Sequence, residues 1–275
     1  MIITNNSTIF SYFDRRYYVS YLSVWLSVDA LADKYPGTSA FMYVRGNPVV
    51  LVDPDGRFST DFVNSKTGDT KHVDDGVDQI VVVSSRSYNK VDNAWIKQQF
   101  KNTWSRNDEY FQIIDNGELV APNSDLGKII RTVYSEMSGV GNTSDVDRQV
   151  VAESIVNRKE CGLYGKSYSD ILTKSQFNAI GTDAYKDPYN YIKNIKKNSP
   201  YFYKKFKNEI NGNWLNSISV AYKAYKNIGS KIGQGVVSYV SRPLKSTYFD
   251  NDKNLKNVTH LINGLKGITG VWKRK

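Results

Sequence analysis

The stretch "IIRTVYSEMSGVGNTSDVDRQVVAESIVNRKE", residues 129–160, holds two apolar-periodic segments separated by a loop of small residues. The first segment has helical spacing of its apolar residues, which are Leu126, Ile129, Ile130, Val133, Tyr134 and Met137. Ser and Asp near residue 124, and Thr143-Ser144-Asp145 before the second segment, are typical of helix N-caps. The pattern predicts one helix that ends near Ser138-Gly139 and a second that runs to about Arg158 before glycines break it.

Glu136 stands at the edge of the first apolar stripe. At about 100° per residue it lies beside Ile129 and away from the solvent-facing arc around Lys128 and Arg131. Spacing alone favours an ordinary glutamate at the rim of a helix. The alternative is a working carboxylate, because partial desolvation next to a glycine-containing loop raises a carboxyl pKa towards the range of a general acid.

Three regions follow one another along the chain. Residues 1–57 contain aromatic and β-branched runs separated by turn signals such as "KYPGTS" and "DPDGR", which predict short strands. Residues 58–122 predict a hairpin or small meander, with a strand at Ile80–Val83, and then a polar connector. Residues 123–275 form the third region, which is mainly helical in pattern.

The predicted fold class is α+β, with a small N-terminal β segment before a mainly α-helical domain. Gly, Pro and Asn separate the further helices of that domain, which we expect at 168–174, 188–196, 200–210 and 213–228. Alternating residues at 236–240 and 268–272 predict a small terminal β-hairpin.

Composition excludes several kinds of protein. No apolar run approaches the roughly 20 residues that a membrane-spanning helix needs. The first residues lack the features of a secretory signal, so we expect synthesis in the cytoplasm without signal-dependent export. With one cysteine, Cys161, and two histidines, His72 and His260, the sequence predicts no disulfide, metal site or cofactor.

The net charge of +10 is concentrated in the C-terminal part of the chain. Residues 186–275 contain 18 Lys and Arg against 4 Asp and Glu, a net of +14, so residues 1–185 carry a net of −4. A strongly basic region favours an anionic partner. Nucleic acid, an anionic lipid surface and an anionic cell-wall polymer all fit this charge.

Residues 15–57 read "RRYYVSYLSVWLSVDALADKYPGTSAFMYVRGNPVVLVDPDGR". Residues 9–57 thereby resemble the C-terminal end of the core of Rhs (rearrangement-hotspot) repeat proteins, in which a β-cage encloses a variable C-terminal toxin. The family's DPxG junction can be cut by an aspartate-based site, and Asp53 is the matching aspartate. Arg57 and Ala30 depart from the family's usual leucine and proline, so the alternative is a simple tight turn at Asp53–Gly56. The resemblance implies that an effector follows residue 57.

The segments "RTVYSEMSGVG", "QVVAESIVNRK" and "KSQFNAIG" follow one another between residues 131 and 181. Together they resemble the cell-wall hydrolase family that includes spore-cortex-lytic enzymes. That family has a lysozyme-like, largely helical fold and cuts the glycan strand of peptidoglycan. The resemblance implies that Glu136 is the catalytic general acid. Attack by the sugar's own 6-hydroxyl would give a 1,6-anhydro product, whereas attack by water would make the protein a muramidase.

The same resemblance implies roles for residues around Glu136. Gly139, Asn157 and Arg158 are expected to support the site, the last two by tying the second helix to the loop after Glu136. Four side chains are expected to line the sugar groove, although each is equally well explained as core or rim: Tyr134, Gln176, Phe177 and Tyr239.

A muramidase would need a second carboxylate or another means of orienting water. Glu153, Asp145 and Asp147 are the nearby candidates, and each has a simpler explanation. Glu153 is expected to be solvated or salt-bridged, and the two aspartates are expected to cap the second helix and to interact with its dipole.

The leading hypothesis is a peptidoglycan-cleaving antibacterial effector that acts in the periplasm or cell wall of a target bacterium. Its expected partners are peptidoglycan glycan strands, a cognate immunity protein and a secretion-system carrier, with no insertion into a membrane. A toxin nuclease is an alternative, because the lysine-rich, aromatic segment "YIKNIKKNSPYFYKKFKNE" could follow phosphates. Against it, the sequence shows no cluster with metal-nuclease spacing, which makes nucleic acid a poorer candidate. A non-catalytic glycan-binding module is the third possibility.

Overall fold

A computed structural model describes residues 2–3, 10–13, 16–19, 24–26, 60–73, 78–91, 107–162, 164–232, 235–241 and 252–274. The chain divides into two compact units, one formed by residues 1–65 and 71–121 and the other by residues 66–70 and 122–275. Asp53 and most of the Rhs-like segment lie outside the described residues. The mixture of helices and sheets confirms the predicted α+β class.

The first unit contains a small antiparallel sheet near the N-terminus. Its strands pair in sequence order and are β1 (Ile2–Ile3), β2 (Phe10–Phe13), β3 (Arg16–Val19) and β4 (Val24–Trp25). Strands β2 (FSYF) and β3 (RYYV) are rich in aromatic residues, which are common in β-strands. They confirm the short strands predicted in this region.

A second sheet follows, with the order β6-β5-β7-β8. Its strands are β5 (Thr60–Asn64), β6 (Thr70–Val73), β7 (Gln79–Val83) and β8 (Glu118–Leu119). The strand predicted at Ile80–Val83 is confirmed. Of the two predicted alternatives, a hairpin or a small meander, the meander is wrong, because β5 and β7 lie side by side in parallel. The consecutive strands β5 and β6 are neighbours, as in a hairpin. Every residue of these two strands is buried, which is typical of the centre of a sheet with parallel pairing.

Within its described residues, the predicted polar connector contains the helices α1 (Ser85–Lys90) and α2 (Asn107–Asp115). Ser84 caps α1 by accepting a hydrogen bond from the Ser87 N–H. The helices and the second sheet share one apolar core, whose buried members are Phe62, Val73, Val81, Val83, Tyr88, Val91, Tyr110 and Ile113.

The second unit is mainly helical. Its helices are α3 (Asp125–Glu136), α4 (Asp145–Cys161), α5 (Tyr168–Ile171), α6 (Asp183–Lys186), α7 (Pro188–Asn198) and α8 (Pro200–Lys226). Helices α3, α4 and α8 pack against one another. The two helices predicted at 200–210 and 213–228 are a single helix with a kink at Phe206. Gly212 lowers the helix propensity of this segment but does not end α8, since the neighbouring residues pack onto the core.

A three-stranded antiparallel sheet completes the second unit. It consists of β9 (Val236–Ser241), β10 (Leu255–Asn257) and β11 (Ile268–Arg274), in the order β10-β11-β9. The predicted terminal strands are confirmed as partners, and β10 is an addition. Trp272 is fully buried in a cluster with Val237 and Leu255, against which half-buried Cys161 packs. Among the described residues, no helix is long and apolar enough to cross a membrane.

Candidate active site

Helix α3 places Glu136 at its C-terminal end. Ser124 caps the helix by accepting a hydrogen bond from the Gly127 N–H at 3.1 Å. Asp125 lies in the first turn, where its negative charge interacts favourably with the positive end of the helix dipole. The apolar stripe of the helix is buried, which fixes its rotation. Glu136 is half-buried, as the border position in the sequence predicts.

Both carboxylate oxygens of Glu136 are held by donors that lie far away in the chain. Oε1 accepts a hydrogen bond from the Ala179 N–H at 3.0 Å, and Oε2 accepts one from the Tyr239 hydroxyl at 3.2 Å. Glu136 therefore has a defined orientation rather than that of a solvated rim charge.

Burial raises the pKa of the Glu136 carboxyl above its ordinary value of 4.5. The Ala179 N–H, the Tyr239 hydroxyl and the positive charge of Arg158 oppose that rise. Burial also raises the pKa of Tyr239 well above its ordinary value, and the neighbouring Glu136 carboxylate adds to the rise. Tyr239 is thus a neutral hydroxyl donor over the whole physiological pH range.

The turn that carries Ala179 follows α5. Phe177 anchors it, with its N–H bonded to the Thr173 carbonyl at 2.9 Å and its ring 1% exposed. The Ile180 N–H then bonds back to the Phe177 carbonyl at 3.1 Å. This backbone turn directs the Ala179 N–H at Glu136.

Arg158, on α4, is a buried cation at the centre of the site. Its Nε donates to the Val237 carbonyl at 2.6 Å, and its terminal nitrogen donates to the Gln176 side-chain oxygen at 3.2 Å. The guanidinium lies over the rings of Phe177 and Tyr164, at 4.7 Å from each centroid. Burial lowers the pKa of Arg158, while the nearby Tyr239, Tyr164 and Glu136 oppose that effect.

The support role predicted for Asn157 and Arg158 acts on a different element. Asn157 donates to the Val236 carbonyl at 2.8 Å, and Arg158 donates to the next carbonyl of β9. These hydrogen bonds run to β9 and not to the loop after Glu136. They fix the strand that delivers Tyr239 to the carboxylate, because both side chains lie on the face of α4 that packs on β9.

The loop after Glu136 is held instead by Arg148, Thr143 and Glu209. Arg148 donates to the Met137 carbonyl at 3.2 Å and to the Thr143 hydroxyl at 3.0 Å. The Thr143 hydroxyl lies 2.8 Å from the Gly139 carbonyl, to which it donates. Glu209 accepts from the N–H of Gly141, a residue whose φ of +75° favours glycine.

Three carboxylates that might have assisted Glu136 have contacts of their own. Asp147 is buried and forms a capping box with Ser144. Its oxygens also accept three N–H groups of the C-terminal segment, at 3.0–3.2 Å, from Lys266, Gly267 and Ile268.

Asp145 and Glu153 are also occupied. Asp145 accepts from Arg148 at 2.9 Å and from Asn216 at 2.8 Å. Glu153 was expected to be solvated or salt-bridged, and the solvated alternative is wrong because its side chain is only 4% exposed. It accepts from the Gln149 amide at 2.7 Å and from the Ile232 N–H at 3.3 Å.

The predicted groove residues do not all come together. Tyr239 contacts Glu136, and Gln176 is exposed and accepts a hydrogen bond from Arg158 through its side-chain oxygen. Phe177 is buried and stacks on the Arg158 guanidinium, so it supports that side chain and does not line a groove. Tyr134 is 1% exposed and packs edge-on against Trp214 at 5.2 Å, which makes it a core residue and not a sugar-stacking surface.

The donor Ala179 and the buried Arg148 were not predicted from the sequence. Ala179 acts through its backbone, which leaves no trace in the residue type. Arg148 follows Asp145 by three residues, which indicates a helix-surface ion pair, whereas its side chain is only 2% exposed and reaches into the loop. Within the part of the chain that the structure describes, no group of three or more His, Cys, Asp or Glu could hold a metal ion.

Comparisons of the chain with protein-family models, with curated proteins and with solved structures return no significant match. The family resemblances therefore rest on the motif residues quoted above.

Proposed function

We propose that this chain is a peptidoglycan-cleaving effector in which Glu136 is the general acid and base. The observation that carries the proposal is the state of the Glu136 carboxyl: half-buried, with a raised pKa and with each oxygen on a fixed donor. A raised pKa increases the fraction of the carboxyl that holds a proton, and a general acid needs that proton to donate it to a glycosidic oxygen.

In the proposed first step, Glu136 protonates the glycosidic oxygen, and the bond between that oxygen and the anomeric carbon breaks. The sugar is left as an oxocarbenium-like centre and Glu136 as a carboxylate. The Ala179 N–H, the Tyr239 hydroxyl and the Arg158 charge all stabilise the carboxylate, because each lowers its pKa. The site is thus suited to both protonation states.

In the second step the carboxylate takes back a proton from the attacking hydroxyl. Attack by the sugar's 6-hydroxyl gives a 1,6-anhydro product and needs one carboxylate only. Attack by water normally uses a second carboxylate. Because Asp145, Asp147 and Glu153 each have structural contacts, we favour the anhydro route.

The charge distribution supports a target in the bacterial wall. The second unit holds the basic C-terminal part of the chain, with its net charge of +14, and wall polymers and peptide stems are anionic. The Rhs-like segment supports delivery by a secretion-system carrier to the periplasm of a target cell. A cognate immunity protein in the producing cell belongs to the same proposal.

Digestion of purified peptidoglycan, with mass spectrometry of the released muropeptides, tests the proposal. We expect muropeptides from the parent protein and a rate lower by roughly 10²–10⁴-fold for Glu136→Gln. Glu160→Gln is the matched control, since it removes an exposed carboxylate from α4. A loss of 18 mass units relative to the hydrolytic product identifies the anhydro route.

Three outcomes would overturn the proposal. Equal product from the parent and Glu136→Gln would remove Glu136 from the chemistry. Wall binding by a folded parent that never releases product would identify a glycan-binding module, and nicking of DNA with no muropeptides would identify a nuclease.

A further inference from the structure

Helix α7 and the first turns of α8 form a helical hairpin that joins at Ser199-Pro200. From Tyr189 to Glu209, none of the residues is classed as buried, although all of them are described. Buried side chains resume at Ile210, where α8 enters the packing with α3 and α4. The hairpin, residues 189–209, therefore has no fully buried side chain. Tyr189 and Tyr191 pack edge-on against Trp214 and Tyr134 of the core, and its other side is exposed.

The charge of the hairpin is strongly one-sided. It contains six lysines and one acidic residue, Glu209. Glu209 accepts the Gly141 N–H, so its carboxylate is directed to the loop after α3. Between residues 189 and 209 there is no second acidic residue, so the six lysines are not balanced by acidic residues of the same segment.

One face of the first turns of α8 combines lysines with an exposed aromatic ring. Tyr201, Lys204, Lys205 and Asn208 follow helical spacing, and all four are exposed. Tyr201 is 82% exposed, and Phe202 at the edge of this face is 41% exposed.

The opposite side of these turns holds the hairpin together. Tyr203 and Phe206 are half-buried there, and the Phe206 ring lies 4.9 Å from that of Phe202. Lys196 of α7 lies over the Tyr203 ring at 5.9 Å. The inner contacts fix the helices, so that the exposed face is presented by a structured element.

We propose that the hairpin docks onto an anionic lipid surface. Lysines next to such a surface are attracted by its negative potential, and aromatic rings such as those of Tyr201 and Phe202 prefer the interface between headgroups and acyl chains. The rings stand beside the connection between two helices, where they can enter the headgroup layer without unfolding either helix. This is contact with one leaflet and does not require a spanning segment.

A chain-like polyanion fits this surface less well. Proteins that bind single-stranded nucleic acid use a basic groove that follows the backbone, with aromatic rings along it. Here the two most exposed rings are adjacent in sequence at a helix-helix connection, and the lysines flank them. That arrangement is suited to a flat surface rather than to a strand.

Sedimentation with vesicles tests the proposal on the whole chain. Phosphatidylcholine vesicles with and without phosphatidylglycerol are the probes. We expect binding only to the anionic vesicles. The double variant Lys204→Gln with Lys205→Gln should weaken binding to the anionic vesicles by roughly 25-fold, about fivefold per lysine. The double variant Tyr201→Ser with Phe202→Ser should remove the part of the vesicle binding that persists at high salt. Lys253→Gln with Lys256→Gln is the control, because it removes the same charge from exposed residues near the terminal sheet.

The outcomes separate the possible partners. No binding to anionic vesicles by the folded parent would overturn the proposal. Binding that soluble polyphosphate or single-stranded DNA abolishes, and that the aromatic double variant leaves unchanged, would also overturn it and identify a general polyanion site. Glu136→Gln should bind vesicles like the parent, so failure of the proposed cleavage would not affect this test.

Discussion

The Tyr239 hydroxyl donates a hydrogen bond to Oε2 of Glu136 at 3.2 Å, across 103 residues of chain. The bond joins the end of helix α3 to strand β9, and Arg158 holds that strand through the Val237 carbonyl. This hydrogen bond fixes the orientation of the Glu136 carboxyl at the rim of the helix. It also makes the site dependent on the terminal sheet.

Glu136→Gln is expected to gain stability relative to the parent as the pH rises from acidic to neutral. Burial raises the pKa of Glu136 in the folded protein, so folding favours the neutral carboxyl. Below the ordinary pKa the Glu136 carboxyl is neutral in the folded and the unfolded state, so the difference in melting temperature between parent and variant should not change with pH there. As pH rises through the folded pKa, only the parent loses stability. Melting temperatures of both proteins across this pH range measure the difference, and a difference that does not shift in favour of the variant as the pH rises would contradict the expectation.

Tyr239→Phe is expected to raise the pKa of Glu136 further, because the lost hydroxyl donor is one of the groups that lower it. If Glu136 is the general acid, the alkaline limb of the pH–rate profile should move to higher pH. NMR titration of the Glu136 carboxyl carbon should show the same upward pKa shift, and this measurement does not require an activity assay. Tyr164→Phe is the control, since its hydroxyl meets Ser238 at 3.4 Å on the same strand. A downward shift in Tyr239→Phe would refute this account.

Asp147→Asn is expected to destabilise the second unit by about 3 kcal/mol, because an amide cannot accept the N–H groups that meet both carboxylate oxygens. These donors are the N–H groups of Ser144, Lys266, Gly267 and Ile268. Urea unfolding measures the change.

Asp170→Asn is the matched comparison for Asp147→Asn. Asp170 also stands third in a capping box, with Ser167, but it is exposed and lacks the three C-terminal donors. We expect a clearly smaller loss. Equal losses would show that the capping box, and not the link to residues 266–268, accounts for the stability.

Arg158→Lys is expected to cost about 2 kcal/mol although the charge is kept, because lysine cannot reproduce the planar fork or the stacking. The lost contacts are those with the Val237 carbonyl, the Gln176 amide and the two aromatic rings. Arg274→Lys, at an exposed arginine, should change little. An unchanged denaturation midpoint for Arg158→Lys would rule out a structural role for the guanidinium geometry.

Local signals predicted the helices around the site well. Ser124 and Ser144 cap α3 and α4 as expected, and Gly162 ends α4 in the left-handed conformation. The kinked α8 was predicted as two helices, since Gly212 has low helix propensity while the packing of Trp214 and Ile218 could not be seen in the sequence. The parallel pairing of β5 and β7 was missed for a related reason, as strand direction depends on long-range contacts.

The sequence by itself determined the α+β class, the caps and faces of α3 and α4, the border position of Glu136 and the basic charge of the C-terminal part. These follow from local spacing and composition, which act within a few residues. Only the tertiary structure decided that the Ala179 N–H and the Tyr239 hydroxyl meet Glu136, that Tyr134 is core, and that Asn157 and Arg158 hold β9. Such contacts join residues 43–103 positions apart, and they form because buried polar groups must find partners wherever the packing of helices and strands brings them.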